Sequence, residues 1–363
     1  YLMQAGHGGN TTEMRQKFCP NLKEVFDFSA SVNPLGLPDK VKRIIRDGAP
    51  NITNYPDIYS RNLAGKISKN LGISQDNLLI TNGSIEAIYL SAGLIENKKS
   101  LIVTPTFSEY ERAIVSRKGK CLYFKTAAQN SFSLDFNKIN KILPKVNALF
   151  ICNPNNPTGN ILPKDELLLL ARNCQRHGVL LIIDEAFIDF LFRPQEYSLV
   201  KDSVKLDNVI VIGSLTKFFA LVGLRVGYIT AGKKIISEIS KFCFPWAVNS
   251  FAQAAAACAI FDYNYIHRTR AFIQKEKDFL FAELGKIKAI TPYYPSVNFI
   301  LCRIKNGRLN SEKLFNLLGK KGIFIRDCSN FRGLNNRYFR VAVKLRNDNL
   351  SLISALKDVL NNQ

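Results

Sequence analysis

Between about Leu78 and Tyr228, short apolar runs alternate with amphipathic segments; the runs are Ser100–Val103, Cys121–Lys125, Ala148–Cys152, Val179–Ile183, Val209–Gly213 and Val226–Thr230. Continuous apolar runs suit strands covered on both faces, and the stretches between them are long enough for helical crossovers. The segment therefore predicts an α/β domain with a largely parallel sheet. The crossover from Lys164 to His177 has readable ends: Pro163 precedes it, Asp165 and Glu166 occupy its first turn, and Gly178 stops it. Val179–Ile183 then reads as a buried central strand.

After about Phe244 the pattern changes to a small-residue helix (Phe251–Ile260) and a long charged helix (Ile266–Ile287). Strands follow at Asn298–Arg303, Ile323–Arg326 and Tyr338–Val343, with helices at Ser311–Lys320 and Leu350–Leu360. A chain of 363 residues exceeds the ~250–300 at which single cores stop growing, so a second domain is expected to begin here.

Charge and cysteine content narrow the function classes. The 50 Lys and Arg against 29 Asp and Glu give a formal charge of +21. Solvated helix faces such as Lys275 to Lys277, a nucleic-acid patch, or a positive funnel for an anionic substrate would each account for it. The 8 cysteines are scattered, with no C-x-x-C pair and no Cys/His spacing for zinc, so they read as buried free thiols and no metal is expected. No apolar run approaches a membrane span, and Tyr1-Leu2-Met3-Gln4 does not open a basic region followed by an apolar stretch; a cytoplasmic protein is expected.

Four segments carry candidate chemistry. Ser214-Leu215-Thr216-Lys217 ends a strand and is followed by Gly223-Leu224-Arg225-Val226-Gly227, which places two hydroxyls and an arginine around one lysine, as suits an anion held beside an amine nucleophile. Asp184-Glu185 ends the buried run, where a carboxylate needs a partner; a cationic ring nitrogen and the N-terminus of the next helix both qualify. Asn153-Pro154-Asn155-Asn156-Pro157-Thr158-Gly159 is a rigid turn that can present amides at fixed positions. Thr81-Asn82-Gly83-Ser84-Ile85-Glu86 opens a helix whose backbone N–H groups could cradle a phosphate.

In this order and spacing the four segments resemble the fold-type I pyridoxal-phosphate (PLP) enzymes, in the branch of the histidinol-phosphate aminotransferases, over nearly the whole chain including Arg337–Val343. Further strings resemble most the phosphoamino-acid decarboxylases of the cobalamin pathway within that branch. They are His7-Gly8-Gly9-Asn10, Asp27-Phe28-Ser29-Ala30, Asn33-Pro34-Leu35-Gly36, Asp184-Glu185-Ala186-Phe187-Ile188-Asp189-Phe190 and Pro245-Trp246-Ala247-Val248-Asn249.

The resemblance implies PLP-dependent transferase fold type I: a large α/β domain over 38–245 with a mostly parallel seven-stranded sheet, and a smaller α+β domain built from 1–37 and 246–363. It implies pyridoxal 5′-phosphate as cofactor, a Schiff base on Lys217, Asp184 paired with the pyridinium nitrogen, Asn156 on the ring O3′ and Phe107 stacked on the ring. Gly83, Ser84, Ile85, Ser214, Thr216 and Arg225 would hold the cofactor phosphate, with Tyr55 reaching it from the other subunit of a homodimer. Arg340 would grip the substrate carboxylate and Arg326 the substrate phosphate, with His7 and Asn33 as further substrate residues. Phe187 departs from the aminotransferase pattern, which commonly has a tyrosine there, and agrees with the decarboxylase branch. The implied reaction is decarboxylation of L-threonine O-3-phosphate or L-serine O-phosphate to a phosphorylated amino alcohol, with transamination of histidinol phosphate as the alternative. A third reading, a DNA-binding regulator with an aminotransferase-like sensor, requires an appended winged or helix-turn-helix module, and the resembling region starts almost at residue 1; neither nucleic acid nor membrane is an expected partner.

Overall fold

The computed structural model describes residues 7–22, 24–305 and 309–361. Its strands in chain order are β1 (Phe26–Asp27), β2 (Leu78–Thr81), β3 (Lys99–Thr104), β4 (Lys120–Lys125), β5 (Ala148–Cys152), β6 (Leu180–Asp184), β7 (Val209–Ser214) and β8 (Gly227–Thr230). They continue with β9 (Ile290–Tyr293), β10 (Phe299–Ile304), β11 (Ile323–Phe324), β12 (Arg326–Asp327) and β13 (Tyr338–Ala342). A seven-stranded sheet has the order β2-β8-β7-β6-β5-β3-β4, and only β8 runs against its neighbours. This is the expected mostly parallel α/β architecture. Every residue of β5 and β7 is buried, which is why those runs show no alternation.

The crossover helix spans Lys164–Arg176, and the strand after it carries Asp184 at its carboxyl end. The β5, β6 and β7 ends lie side by side, with Cys152 opposite Asp184 and Asp184 opposite Ile212. The Asn153 turn, Asp184 and the Lys217 loop therefore emerge together, at the edge where open α/β sheets bind ligands.

The second sheet is antiparallel, in the order β12-β13-β10-β9. It packs with the helices Tyr263–Gly285, Ser311–Lys320 and Arg346–Asn361. The predicted single strand Ile323–Arg326 is two: β11 pairs in parallel with β1, whereas β12 pairs antiparallel with β13. The buried Ile325 lies between them, because one straight run cannot serve both partners. The small-residue helix, Ser250–Ala259, is capped by Asn249 and packs on the helices Asp39–Gly48 and Arg61–Leu71.

Lys277 corrects one expectation about charge. It is buried on the long helix, donates to Gln274 Oε1 (3.1 Å) and lies 5.0 Å from the Tyr294 ring centroid, so its stem packs while Lys275 remains exposed. The neighbouring Glu276 is buried too, and ties this helix to the last one by paired hydrogen bonds from Arg346 (2.9 Å). All the cysteines are free; Cys121, Cys243 and Cys258 are only partly buried, in contrast with the buried thiols expected. Among the described residues, no helix is long and apolar enough to cross a membrane and no group of three or more His, Cys, Asp or Glu is placed to hold a metal.

Candidate active site

A cavity of about 570 Å³ lies between the two sheets. Asp184 reaches it from the end of β6 and is 4 % exposed. Its Oδ2 accepts from the Tyr110 hydroxyl (2.8 Å) and its Oδ1 from the Ala186 N–H (2.9 Å). Burial raises its pKa, while these two donors and the charge of Lys217 favour the carboxylate.

Lys217 follows β7, and its amine opens to the same cavity with Nζ 3.2 Å from Thr216 Oγ1. Burial, followed by the charge of Arg225, lowers its pKa to about 8. The loop is held from behind by Asn33, whose N–H donates to the Lys217 carbonyl (3.0 Å). The side chain of Asn33 does not face the cavity: its Nδ2 lies 2.7 Å from the Phe218 carbonyl, 2.8 Å from Tyr265 Oη and 2.9 Å from Thr269 Oγ1. The structure thus turns this expected substrate residue into a support for the lysine loop.

One wall of the cavity brings a helix start and an arginine together. Helix Gly83–Gly93 starts with no side-chain cap from Asn82, and Ser84 and Ile85 of its first turn line the cavity. Arg225, in the left-handed region at φ 61°, lies against that helix start. A Cβ on Gly83 would stand 2.6 Å from Arg225 Nη2, so only glycine lets the guanidinium approach. Ser214 and Thr216 share a 2.8 Å hydroxyl contact just behind the lining.

Arginines occupy the opposite wall. Arg340 on β13 is 6 % exposed, donates to Ser29 O (2.9 Å) and to Asn156 Oδ1, and leaves its buried Nε without a hydrogen-bond partner. Burial lowers its pKa to about 10. Arg326 on β12 is the direct cross-strand partner of Arg340, so both project from the same face of the sheet. Arg326 also donates to Asn330 Oδ1 (2.9 Å) and lies 4.9 Å from the Phe331 ring centroid. Phe107 lines the cavity beside His7, with ring centroids 5.4 Å apart, and His7 Nε2 is 2.8 Å from Glu109 Oε1. Phe187 lines it as well, its ring packed edge-on against Phe299 at 5.1 Å.

Tyr55 stands outside the cavity lining: it is 82 % exposed and lies against Trp246 (centroids 4.9 Å). The sequence reading missed Tyr110, Asp27, Ser29 and Glu109. Tyr110 was within reach, since it follows Phe107 by three residues, in the first turn of the helix Glu109–Ser116. Glu185, by contrast, points away from the cavity and accepts from Ser198 Oγ (2.6 Å) and the Leu199 N–H (2.8 Å).

Burial raises the pKa of Glu185 to about 8, against roughly 4.3 for an unfolded glutamate. Between those values the folded chain keeps a proton that the unfolded chain has lost, so stability falls as pH rises through the window. Glu185→Gln is expected to flatten the decline in Tm between pH 5 and pH 8, as thermal melts in a buffer series would read; an unchanged slope would show that Glu185 is ionised when buried.

The aminotransferase class I and II family model matches residues 23–355. The chain is 32 % identical over 361 residues to the threonine-phosphate decarboxylase of Salmonella typhimurium, covering 99 % of this chain and 98 % of that protein. A structure described as the histidinol-phosphate aminotransferase from Clostridium acetobutylicum superposes with a TM-score of 0.87 at 35 % identity, covering 93 % of this chain and 100 % of that one. The L-threonine-O-3-phosphate decarboxylase from Porphyromonas gingivalis gives 0.82 at 26 % identity, with coverage of 93 % and 100 %.

The residues present fit the cofactor implied by the family. A buried carboxylate faces the cavity, as a protonated pyridine nitrogen requires; an uncapped helix start with an arginine suits a phosphate; and an amine with a lowered pKa lies between them. Four Lys or Arg (Lys217, Arg225, Arg326, Arg340) line the cavity against two Asp (Asp27, Asp184), an excess of positive charge that suits anionic ligands.

Proposed function

We propose that this chain, which belongs to the aminotransferase class I and II family, removes the carboxylate of a short phosphorylated amino acid, L-threonine O-3-phosphate or L-serine O-phosphate, to give a phosphorylated amino alcohol for the nucleotide loop of a cobamide. The cofactor is pyridoxal 5′-phosphate. The observation that carries the proposal is the Arg326–Arg340 pair, two cations on adjacent strands facing the amine of Lys217 across one cavity. Two anion anchors one strand spacing apart suit a molecule whose carboxylate and phosphate are separated by a few bonds. The naming of the Salmonella typhimurium and Porphyromonas gingivalis relatives supports the same substrate.

When bound, the cofactor supplies an electron sink for the pair left on Cα. Asp184 would hold the proton at the ring nitrogen, and Tyr110 keeps that carboxylate in place. The uncapped helix start and Arg225 would hold the phosphate end, with Ser214 and Thr216 behind them, and Phe107 and Asn156 would border the ring. Lys217 supplies the nucleophilic amine and, once freed, a proton for Cα. Arg340 and Arg326 orient the substrate so that the bond to the carboxylate is the one that breaks.

The Clostridium acetobutylicum structure at 35 % identity favours a second reading, transamination of histidinol phosphate. Incubation of the holoenzyme with both phosphoamino acids, and separately with histidinol phosphate and 2-oxoglutarate, separates the two. CO₂ and a phosphorylated amine are expected from the first, and glutamate from the second alone would replace the decarboxylase reading.

The same reading takes the protein as a cytoplasmic homodimer, in which the exposed ring of Tyr55 suits the cofactor phosphate of a second copy. Mixing inactive Tyr55→Ala and Lys217→Ala chains is expected to restore up to about a quarter of wild-type activity, since half the dimers would be mixed and each would hold one intact site. No recovery on mixing, or a fully active monomer in light scattering, would remove the shared site.

A further inference from the structure

The substrate-facing arginine Arg326 belongs to a segment that touches the seven-stranded sheet at few points. Ser329 binds back to Asp327 through its N–H (2.9 Å) and hydroxyl (2.8 Å), Asn330 accepts from Arg326, and Phe331 lies beside the same guanidinium. The shape of residues 326–331 and the aim of Arg326 are thus one unit. Just beyond it, Arg332 crosses to the other lobe. Its Nε and Nη2 donate to both oxygens of Glu111 (3.2 and 2.8 Å), and its guanidinium lies 4.1 Å from the centroid of the Tyr123 ring. Gly333, at φ +98°, lets the backbone lie close to Pro105, whose nitrogen would be 3.4 Å from a Cβ there.

Beside this contact a buried cluster packs Phe132 with Phe331 and Tyr338. A cavity of about 260 Å³ separates the lobes at this seam, with Phe107 and Glu111 on one side and Asn330 and Phe331 on the other. A paired arginine–carboxylate contact spanning a gap fixes a distance in a way that loose apolar contact does not. The helix that carries Glu111, Glu109–Ser116, also carries Glu109, which holds His7 on the other flank of the active cavity. One short helix following Phe107 thus grips the chain on both sides of the substrate space.

We propose that Glu111 and Arg332 form a clasp that positions Arg326 for the substrate phosphate, making them specificity-determining positioning residues. The clasp rests on the reading of Arg326 as the phosphate anchor. Lys217, Asp184 and Arg225 do not line the seam cavity, whereas Phe107 does, and Tyr110 beside Glu111 holds Asp184, so kcat reads any movement passed to the cofactor side. Opening the clasp loosens the phosphate end of the substrate, so ground-state binding suffers more than the bond-breaking step.

The test compares wild-type holoenzyme with Arg332→Ala, Arg332→Lys, Glu111→Gln and the charge exchange Glu111→Arg/Arg332→Glu. Two quantities are read: the affinity for inorganic phosphate by calorimetry, and kcat and KM for L-threonine O-phosphate. Arg332→Ala and Glu111→Gln are expected to weaken phosphate binding and raise KM about tenfold each, within the range for residues that act through a network, with kcat within about twofold. Arg332→Lys, which keeps the charge but not the paired geometry, should fall between, and the exchange should recover a large part of the loss. Unchanged phosphate affinity in Arg332→Ala would overturn the clasp, as would a loss of kcat and Tm that the exchange does not restore. Clasp-dependent phosphate binding without CO₂ release by the wild type would keep the clasp and remove the decarboxylase reading.

Discussion

Replacing Lys217 by alanine is expected to lower kcat by at least about 10⁴-fold, the scale seen when a nucleophile that works as part of a unit is removed. Among the described residues Lys217 is the one lysine lining the cavity: its Nζ is 3.2 Å from Thr216 Oγ1, its loop is fixed by Asn33, and Asp184 and Arg225 border the same cavity. Borohydride should fix the cofactor to wild-type protein on a peptide containing Lys217, and the variant should release it on dialysis. Mapping the reduced cofactor to a different peptide would refute the assignment. The pH dependence has a definite sign. The uncharged amine is the nucleophile, and burial with Arg225 lowers the Lys217 pKa to about 8. Capture of the cofactor by apoprotein should therefore speed up with rising pH and level off above about 8.

The second large effect concerns the phosphate anchor. Arg326→Leu keeps most of the stem volume over Phe331 and removes the charge, so KM for L-threonine O-phosphate should rise about 10²–10³-fold, as when one partner of a close charge pair is lost. Free threonine should be a very poor substrate of the wild type, by about 10⁴-fold in kcat/KM, because a site built to bind a polar group discriminates strongly against its absence. The ratio of the two substrates should shrink in Arg326→Leu. A variant that lost activity on both in proportion would place the phosphate elsewhere. Threonine and serine phosphates differ by one methyl, worth only ~1–3 kcal/mol, so their order is set by fine lining detail.

Much of this was legible in the sequence because the signals are local. The apolar runs give the parallel sheet, and the strings around Lys217, Asp184, Asn156 and Gly83 sit at strand ends that the fold brings together. What was not legible depends on partners far apart in the chain. β1 has two residues and exists through pairing with Ile323 and Phe324, for which no local pattern exists. The same pairing divides the predicted strand Ile323–Arg326 and turns Arg326 towards Arg340. Asn33 looked like a substrate residue because its string does; its surroundings, Phe218, Tyr265 and Thr269, come from two distant segments and claim its amide. Lys277 was misjudged for the same reason, since Tyr294 lies on the strand side of the long helix's turn.

The central claim is that the bond broken at Cα is the one to the carboxylate. It is tested most directly with L-threonine O-phosphate carrying heavy carbon in the carboxylate and deuterium on Cα, incubated with the holoenzyme and 2-oxoglutarate. Both labels are followed by mass spectrometry. The account predicts heavy CO₂ and a phosphorylated amino alcohol that retains the deuterium. Loss of the deuterium to solvent, with the heavy carbon kept in a keto acid and glutamate formed, would contradict it.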